Sequence, residues 1–186
     1  MEQLHRKLCK RYDIPGQAHC LTFSCFQRRS FLSRERCCQW LAQAIQLGRD
    51  RQMYDLWGFV FMPDHVHVVL LPRPDIRTSQ VLKTIKSSVS KRAILWVKRN
   101  APDFLKQMED IQPNGDAHYR FWQRGGGYDR NLRSLEDVRQ KIRYIHANPV
   151  RRGLVDSPEK WYWSSYHAWE TVEDVPIPID RESLMW

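Results

Sequence analysis

The sequence predicts an α+β fold built on an antiparallel sheet. Short β-favouring segments alternate with long amphipathic ones, two of the β segments are joined by a tight Pro-Asp turn, and no apolar run approaches the roughly 18–20 residues of a membrane span. Of the 186 residues, 42% are hydrophobic and 27% charged, enough apolar surface for the core of one domain.

Residues 18–26 (AHCLTFSCF) read as the first strand, entered through Ile14-Pro15-Gly16. Ser33 is the expected N-cap of a helix from about Arg34 to Gln52, with Arg36 where a capping box would have Glu. Cys37, Trp40, Leu41, Ala44 and Leu47 recur there at helical spacing. Residues 54–62 (YDLWGFVFM) and 65–71 (HVHVVLL) read as a hairpin turning at Met62-Pro63-Asp64 and ended by Pro72 and Pro74. Thr78-Ser79 should cap a second helix over about 79–99, apolar at Val81, Leu82, Ile85, Val89, Ile94 and Val97. A polar loop then leads to a fourth strand at 118–123 (HYRFWQ), and Gly125-Gly126-Gly127 form a connector. Ser134 caps a third helix with Glu136 and Asp137 in its first turn, where the helix dipole favours acids. That helix should end near Asn148, because Pro149 disfavours helical geometry in the residue before it. The aromatic stretch WYWSSYHAW from Trp161 is expected to pack back on the body. Residues 1–170 read as a single domain and 171–186 as a C-terminal tail. The order β-α-β-β-α-β-α suggests a ferredoxin-like or RRM-like arrangement.

Thirty Lys and Arg against 21 Asp and Glu give a net charge of +9, which points to an acidic partner, nucleic acid first. Cys9, Cys20, Cys25, Cys37 and Cys38 are odd in number and contain no CxxC, so free thiols in a reducing compartment are expected rather than a disulfide framework or a zinc ribbon. The opening MEQLHRKLCKRYDIPGQ lacks the apolar core of a secretory leader, and a cytoplasmic location is expected.

In Pro63-Asp64-His65-Val66-His67-Val68-Val69-Leu70, strand alternation puts His65 and His67 on one face and Val66, Val68 and Leu70 on the other. Two imidazoles two residues apart can meet one divalent cation, or they can be a structural pair. A metal would need at least one further ligand. In Leu135–Val150 (LEDVRQKIRYIHANPV), Leu135, Val138, Ile142 and Ile145 share a face. At about 100° per residue, Tyr144 and Asn148 lie together on a flank away from that face, while His146 points elsewhere. Tyr144 could equally pack at the core edge and Asn148 merely terminate the helix.

Combined, these pieces allow a specific chemistry. A cation held by His65 and His67, with Asn148 as an oxygen ligand, would stand one helical turn from Tyr144. A phenol is a weak nucleophile at neutral pH, its pKa being about 10. It becomes effective against a phosphodiester when a cation polarises the phosphate oxygens. Mixed nitrogen and oxygen ligation suits Mg²⁺ or Mn²⁺.

Met62-Pro63-Asp64-His65-Val66-His67 resembles the His-hydrophobic-His motif of HUH endonucleases. Tyr144-Ile145-His146-Ala147-Asn148-Pro149-Val150, followed by Gly153-Leu154-Val155, resembles the tyrosine helix of single-tyrosine transposases, and within these the REP-associated tyrosine transposases. Trp122-Gln123-Arg124, Tyr128-Asp129 and Trp163-Ser164-Ser165-Tyr166 are similar to further landmarks of that family, so the resemblance covers about residues 14–170. It implies an HUH fold, an antiparallel sheet with helices on one side and the tyrosine on a late helix. It also implies Mg²⁺- or Mn²⁺-assisted cleavage and joining of single-stranded DNA near hairpins through a 5′-phosphotyrosine link. His65, His67 and Asn148 are then the metal ligands and Tyr144 the nucleophile. Gly125 and Gly126 depart from the bulkier residues of relatives, and Arg130 stands where many carry His.

Basic side chains should supply phosphate contacts: Arg28, Arg29, Lys83, Lys86, Lys91, Arg124, Arg130, Arg151 and Arg152. Trp122, Tyr128 and His118 could stack on unpaired bases. Tyr128 is the rival nucleophile, lacking a ligand partner four residues on. The competing readings are a catalytically silent RRM-like nucleic-acid-binding module and a metal-dependent hydrolase using water. A monomer is favoured over a homodimer.

Overall fold

The structure is a computed structural model that describes residues 12–170 and 175–184. Its strands are β1 (Ala18–Ser24), β2 (Tyr54–Phe61), β3 (His65–Pro72), β4 (Glu109–Ile111), β5 (Ala117–Tyr119) and β6 (Tyr128–Leu132). Its helices are α1 (Glu35–Asp50), α2 (Thr78–Asn100), α3 (Leu135–His146), α4 (Asn148–Arg151) and α5 (Tyr166–Glu170). The main sheet runs β2-β3-β1-β6 with every neighbouring pair antiparallel. The two crossovers carry α1 and α2, which is the ferredoxin-like plan the element order predicts.

Both faces of the sheet are covered. Leu21, Phe23, Val66, Val68 and Leu70 pack with Leu41 and Ile45 of α1 and Ile85 and Val89 of α2. On the opposite face Cys20, Trp57, Val60 and Val69 pack with Val138, Ile142 and Ile145 of α3. The implied placement of all helices on one side is therefore corrected: α3 lies across the sheet from α1 and α2. Strand alternation decides the consequence. Val66, Val68 and Leu70 are taken up by α1 and α2, so His65 and His67 emerge on the α3 face.

β2 is buried along its whole length because its outer edge is covered too. The Phe61 N–H donates to Trp163 O at 2.8 Å, and the Ser165 N–H to Phe59 O at 2.9 Å. The Asp180 N–H reaches Leu56 O at 2.8 Å. Trp163 stacks on Phe61 with centroids 5.8 Å apart, so the aromatic stretch does pack on the body. Beyond it, Ile177 joins the α1–α2 core and Leu184 the α3 core, so 175–184 straddle the sheet edge.

Several local expectations are corrected. The fourth strand is Tyr128–Leu132, whereas 117–119 pair with 109–111 in a separate two-stranded ribbon. Residues 118–123 failed as the sheet strand because Phe121 and Trp122 are drawn into the core; only a single bridge, Cys25 to Trp122, links them to the main sheet. Arg34, not Ser33, caps α1, without a side-chain bond. α2 starts after Arg77, whose N–H is met by Gln80 Oε1 at 2.8 Å, while Thr78 is held by Asp13. Ser134 caps α3 as predicted, accepting from the Asp137 N–H at 3.1 Å. α3 stops at His146, and Asn148 opens α4 with Pro149 in its first turn, where the missing N–H costs nothing. Cys20, Cys25, Cys37 and Cys38 are free and buried, and Cys9 lies outside the described residues, as do 171–174 of the tail. Among the described residues, no helix is long and apolar enough to cross a membrane.

Candidate functional site

The β3 hairpin brings His65 and His67 together. Their Nε2 atoms are 3.1 Å apart and their rings meet edge to face with centroids 4.8 Å apart. Each Nδ1 has its own partner behind it. Asp64 Oδ1 is 2.6 Å from His65 Nδ1, and Thr22 Oγ1 on β1 is 2.8 Å from His67 Nδ1. Burial alone would raise the pKa of Asp64, but the bonds from His65 and Arg28 outweigh it and hold the carboxyl below the usual range. An ionised carboxylate only accepts, so His65 Nδ1 donates and its Nε2 lone pair faces His67. Fixing imidazole orientation through the far nitrogen is how metal-binding histidines are held.

Burial lowers the pKa of His65, with Arg28 and Arg152 acting in the same direction. His67 is pushed down to about 3, by burial first, then by His65, Lys141, Arg28 and Arg152. Both shifts favour the neutral form of the rings, the form that can ligate a metal. Those same charges locate the neighbours of the pair: Arg28 from the end of β1, Lys141 from α3, and Arg152 from just beyond α4.

These donors fit a divalent cation. Among the described residues no group of three His, Cys, Asp or Glu side chains could hold a metal. Two imidazoles leave the remaining positions to other ligands, and Asn148, half-buried at the start of α4, carries an amide oxygen of a type that Mg²⁺ and Mn²⁺ accept.

Tyr144 is 45% exposed on the outer flank of α3, as its helical phase predicts. Lys141 Nζ and the Arg151 guanidinium carbon each lie 4.7 Å from its ring centroid. The groove around it is also lined by Arg130 and Arg143 and has a volume of about 610 Å³. Lys141 thus acts on both parts of the site, touching the tyrosine ring and bearing electrostatically on His67. His146 is turned the other way, buried, with Nε2 2.8 Å from Ser165 Oγ. That bond and the Phe59 N–H donated to Ser165 Oγ at 2.9 Å tie the end of α3 to β2.

The predicted DNA contacts divide into groups. Tyr128 lies opposite Thr22 and Arg130 opposite Cys20 on β1, so both share the histidine face. Arg28, Arg151 and Arg152 are exposed around the same site. Arg28 is ion-paired with Asp64 at 3.2 Å. Lys83, Lys86 and Lys91 lie on α2, behind the sheet. Lys86 Nζ donates to Gln123 O and Gly125 O at 3.1 and 2.8 Å, anchoring the glycine run. Arg124 pairs with Asp110 at 2.9 Å. Trp122 is corrected outright: it is 4% exposed, lies against Phe23 and Phe121, and donates its Nε1–H to Lys86 O, so its ring is closed to a base.

Sequence reasoning missed Thr22, Lys141 and the orienting role of Asp64. Asp64 was visible beside His65 but read as a turn residue. Thr22 depends on the β1–β3 register, which no local pattern gives.

A family model described as "Transposase IS200 like" matches residues 16–127, from the approach to β1 through the glycine run. It includes His65 and His67 and stops short of Tyr144. The REP-associated tyrosine transposase of Escherichia coli (strain K12) is 26% identical over 162 residues, 85% of this chain and 81% of that protein. A Haemophilus influenzae protein named for the same group is 25% identical over 115 residues, and the match spans 61% of this chain and only 60% of that protein. A solved REP-associated tyrosine transposase bound to a REP hairpin superposes with a TM-score of 0.65 at 26% identity, covering 87% of this chain and 83% of that one. With the model match extending over more than half of the sequence and the sheet carrying its histidine pair, the chain belongs to the family of IS200-like transposases.

Proposed function

We propose that this protein cuts and rejoins single-stranded DNA beside hairpins through a covalent 5′-phosphotyrosine link on Tyr144, assisted by Mg²⁺ or Mn²⁺ held by His65, His67 and Asn148. The observation that carries this reading is the pair of Nε2 atoms 3.1 Å apart, each ring braced at Nδ1. Hairpin DNA as the partner is supported by the REP hairpin held by the related transposase and by the cations around the site.

When bound, the ion polarises the phosphate oxygens and stabilises charge in the transition state. The Tyr144 oxygen attacks phosphorus and the bond to the 3′-oxygen breaks. The phenolic proton is lost and the leaving strand gains one as a 3′-hydroxyl. The 5′ end stays on the tyrosine as a phosphodiester. Attack by another 3′-hydroxyl reverses the step, so joining needs no nucleotide cofactor. Lys141 and Arg151, already against the ring, meet the anionic phosphate as it forms the link.

The test is incubation with single-stranded hairpin oligonucleotides and Mg²⁺, followed by a denaturing gel. A covalent adduct is expected with the wild type and none with Tyr144→Phe, which should still bind the hairpin. His65→Ala and His67→Ala should each abolish metal-dependent cleavage. Cleavage surviving in Tyr144→Phe would favour water as nucleophile, and binding without cleavage by the wild type would favour a silent binding module.

A further inference from the structure

Behind the sheet, away from the histidines, the start of α1 and the end of α2 enclose a cavity of about 660 Å³. That lies within the roughly 300–1,000 Å³ of sites that take small molecules. Its walls combine the arginines Arg29, Arg34 and Arg36 with the aromatic rings of Trp40, Trp96 and Phe104, and no carboxylate is among its lining residues. The Arg36 guanidinium carbon sits 3.9 Å from the centroid of the Trp96 ring, and Arg36 is exposed. Aromatic faces and guanidinium groups are the surfaces on which unpaired bases stack, and the arginines add attraction for the phosphates between them.

The cavity is connected to the histidine site by one turn. Gln27 and Arg28 have φ of 53° and 57°, left-handed conformations that non-glycine residues adopt rarely. The Gln27 N–H is held by Gln123 Oε1 at 3.0 Å. Through this turn Arg28 faces the site, donating to Asp64 Oδ2 at 3.2 Å. Its neighbour Arg29 faces the cavity, donating to Gln107 Oε1 at 3.2 Å. Consecutive guanidinium groups thus face the two places in succession.

We infer that this cavity is a second DNA subsite, which takes an unpaired nucleotide of the strand that passes the histidine pair, stacked on Arg36 and Trp96. This rests on the proposed single-strand DNA function and adds a base-holding pocket to it.

The test compares two oligonucleotides on the full chain in EDTA, where no cleavage occurs: a blunt hairpin and the same hairpin with a single-stranded flank. Arg36→Ala is expected to weaken binding of the flanked hairpin by about tenfold, the usual order for one lost stacking contact, and to leave the blunt hairpin unchanged. Arg34→Glu, an exposed site where folding is safe, should act in the same direction. Because Trp96→Ala could disturb packing, Trp96 is probed instead by photo-crosslinking 5-iododeoxyuridine in the flank. Crosslinks at Trp96, Trp40 or Phe104 are expected. Equal loss for both oligonucleotides, no loss for either, or crosslinks only outside the cavity would each overturn the subsite while leaving adduct formation by Tyr144 intact. Failure of the wild type to bind either DNA would overturn both readings.

Discussion

Thr22 Oγ1 on β1 lies 2.8 Å from His67 Nδ1 on β3, across a strand pair 45 residues apart in sequence. A hydroxyl can donate or accept, and this matters here. Without an ion, His65 Nε2 is the acceptor in the contact with His67 Nε2, so His67 carries its proton on Nε2 and Thr22 donates to Nδ1. Ligation through Nε2 requires the proton on Nδ1, and Thr22 then accepts. The hydroxyl serves both states. Thr22→Val should fold normally yet bind Mn²⁺ about tenfold more weakly, the lower end of the loss when the group bonded behind a ligating histidine is removed. Titration of Mn²⁺ followed by electron paramagnetic resonance would check it.

Gly127 approaches the same strand. A Cβ there would lie 2.0 Å from Thr22 O, and its φ of 72° is left-handed. Gly125, with φ of 83°, has nothing within 4 Å of its absent Cβ. Gly127→Ala should therefore destabilise by well over the roughly 1 kcal/mol that marks conformational strain alone, and Gly125→Ala by about that amount. Urea unfolding of the two variants distinguishes a clash from a backbone preference. Gly127→Ala should also displace Thr22, weakening metal binding in whatever fraction remains folded.

Lys141 bears on both Tyr144 and His67. Replacing it with Met keeps the stem that covers α3 and removes only the charge. Adduct formation by Lys141→Met is expected to slow by on the order of 10²-fold, as when one preorganised charge donor is lost. Hairpin affinity should fall only slightly, with the salt slope shallower by about one. Single-turnover gels and binding isotherms at several salt concentrations separate these effects.

Asp180 accepts from both Arg49 Nε, at 3.0 Å, and Arg49 Nη2, and also from the Leu56 N–H at 2.8 Å. Burial alone would raise its pKa, but these bonds dominate and lower it. A carboxyl with a lower pKa folded than unfolded adds stability above its unfolded value of about 3.9, and that stability is lost as pH falls through the folded value. Asp180→Asn should cost roughly 1–3 kcal/mol at pH 7. It should also flatten the loss of stability below about pH 4. Urea midpoints between pH 2 and 7 test both.

The sheet with its two crossovers was legible because α1 and α2 repeat apolar residues at helical spacing, β3 opens with alternation and β2 is a nearly continuous apolar run. The histidine face was legible too, since alternation in HVHVVL leaves no other choice once Val66, Val68 and Leu70 are buried. β6 was not: Tyr128-Asp129-Arg130-Asn131-Leu132 has little intrinsic β preference and is a strand because β1 offers it a free edge. Trp122 looked available to bases, and only tertiary packing closes it. The two cations against Tyr144 come from different helices, Lys141 one turn earlier on α3 and Arg151 on α4, so the groove exists only after Ala147 turns the chain between them.

The rim of β2 is sealed by main-chain partners that follow it by roughly a hundred residues, from Trp163, Ser165 and Asp180. An open rim is a template on which a second copy can add a strand or a fibril can nucleate. Here the chain occupies its own template, so no sister molecule can extend the sheet on that side. Truncation ahead of Trp161 would expose eight apolar-rich residues of β2 at once, and clumping of the shortened protein, rather than a simple drop in melting temperature, is its expected fate.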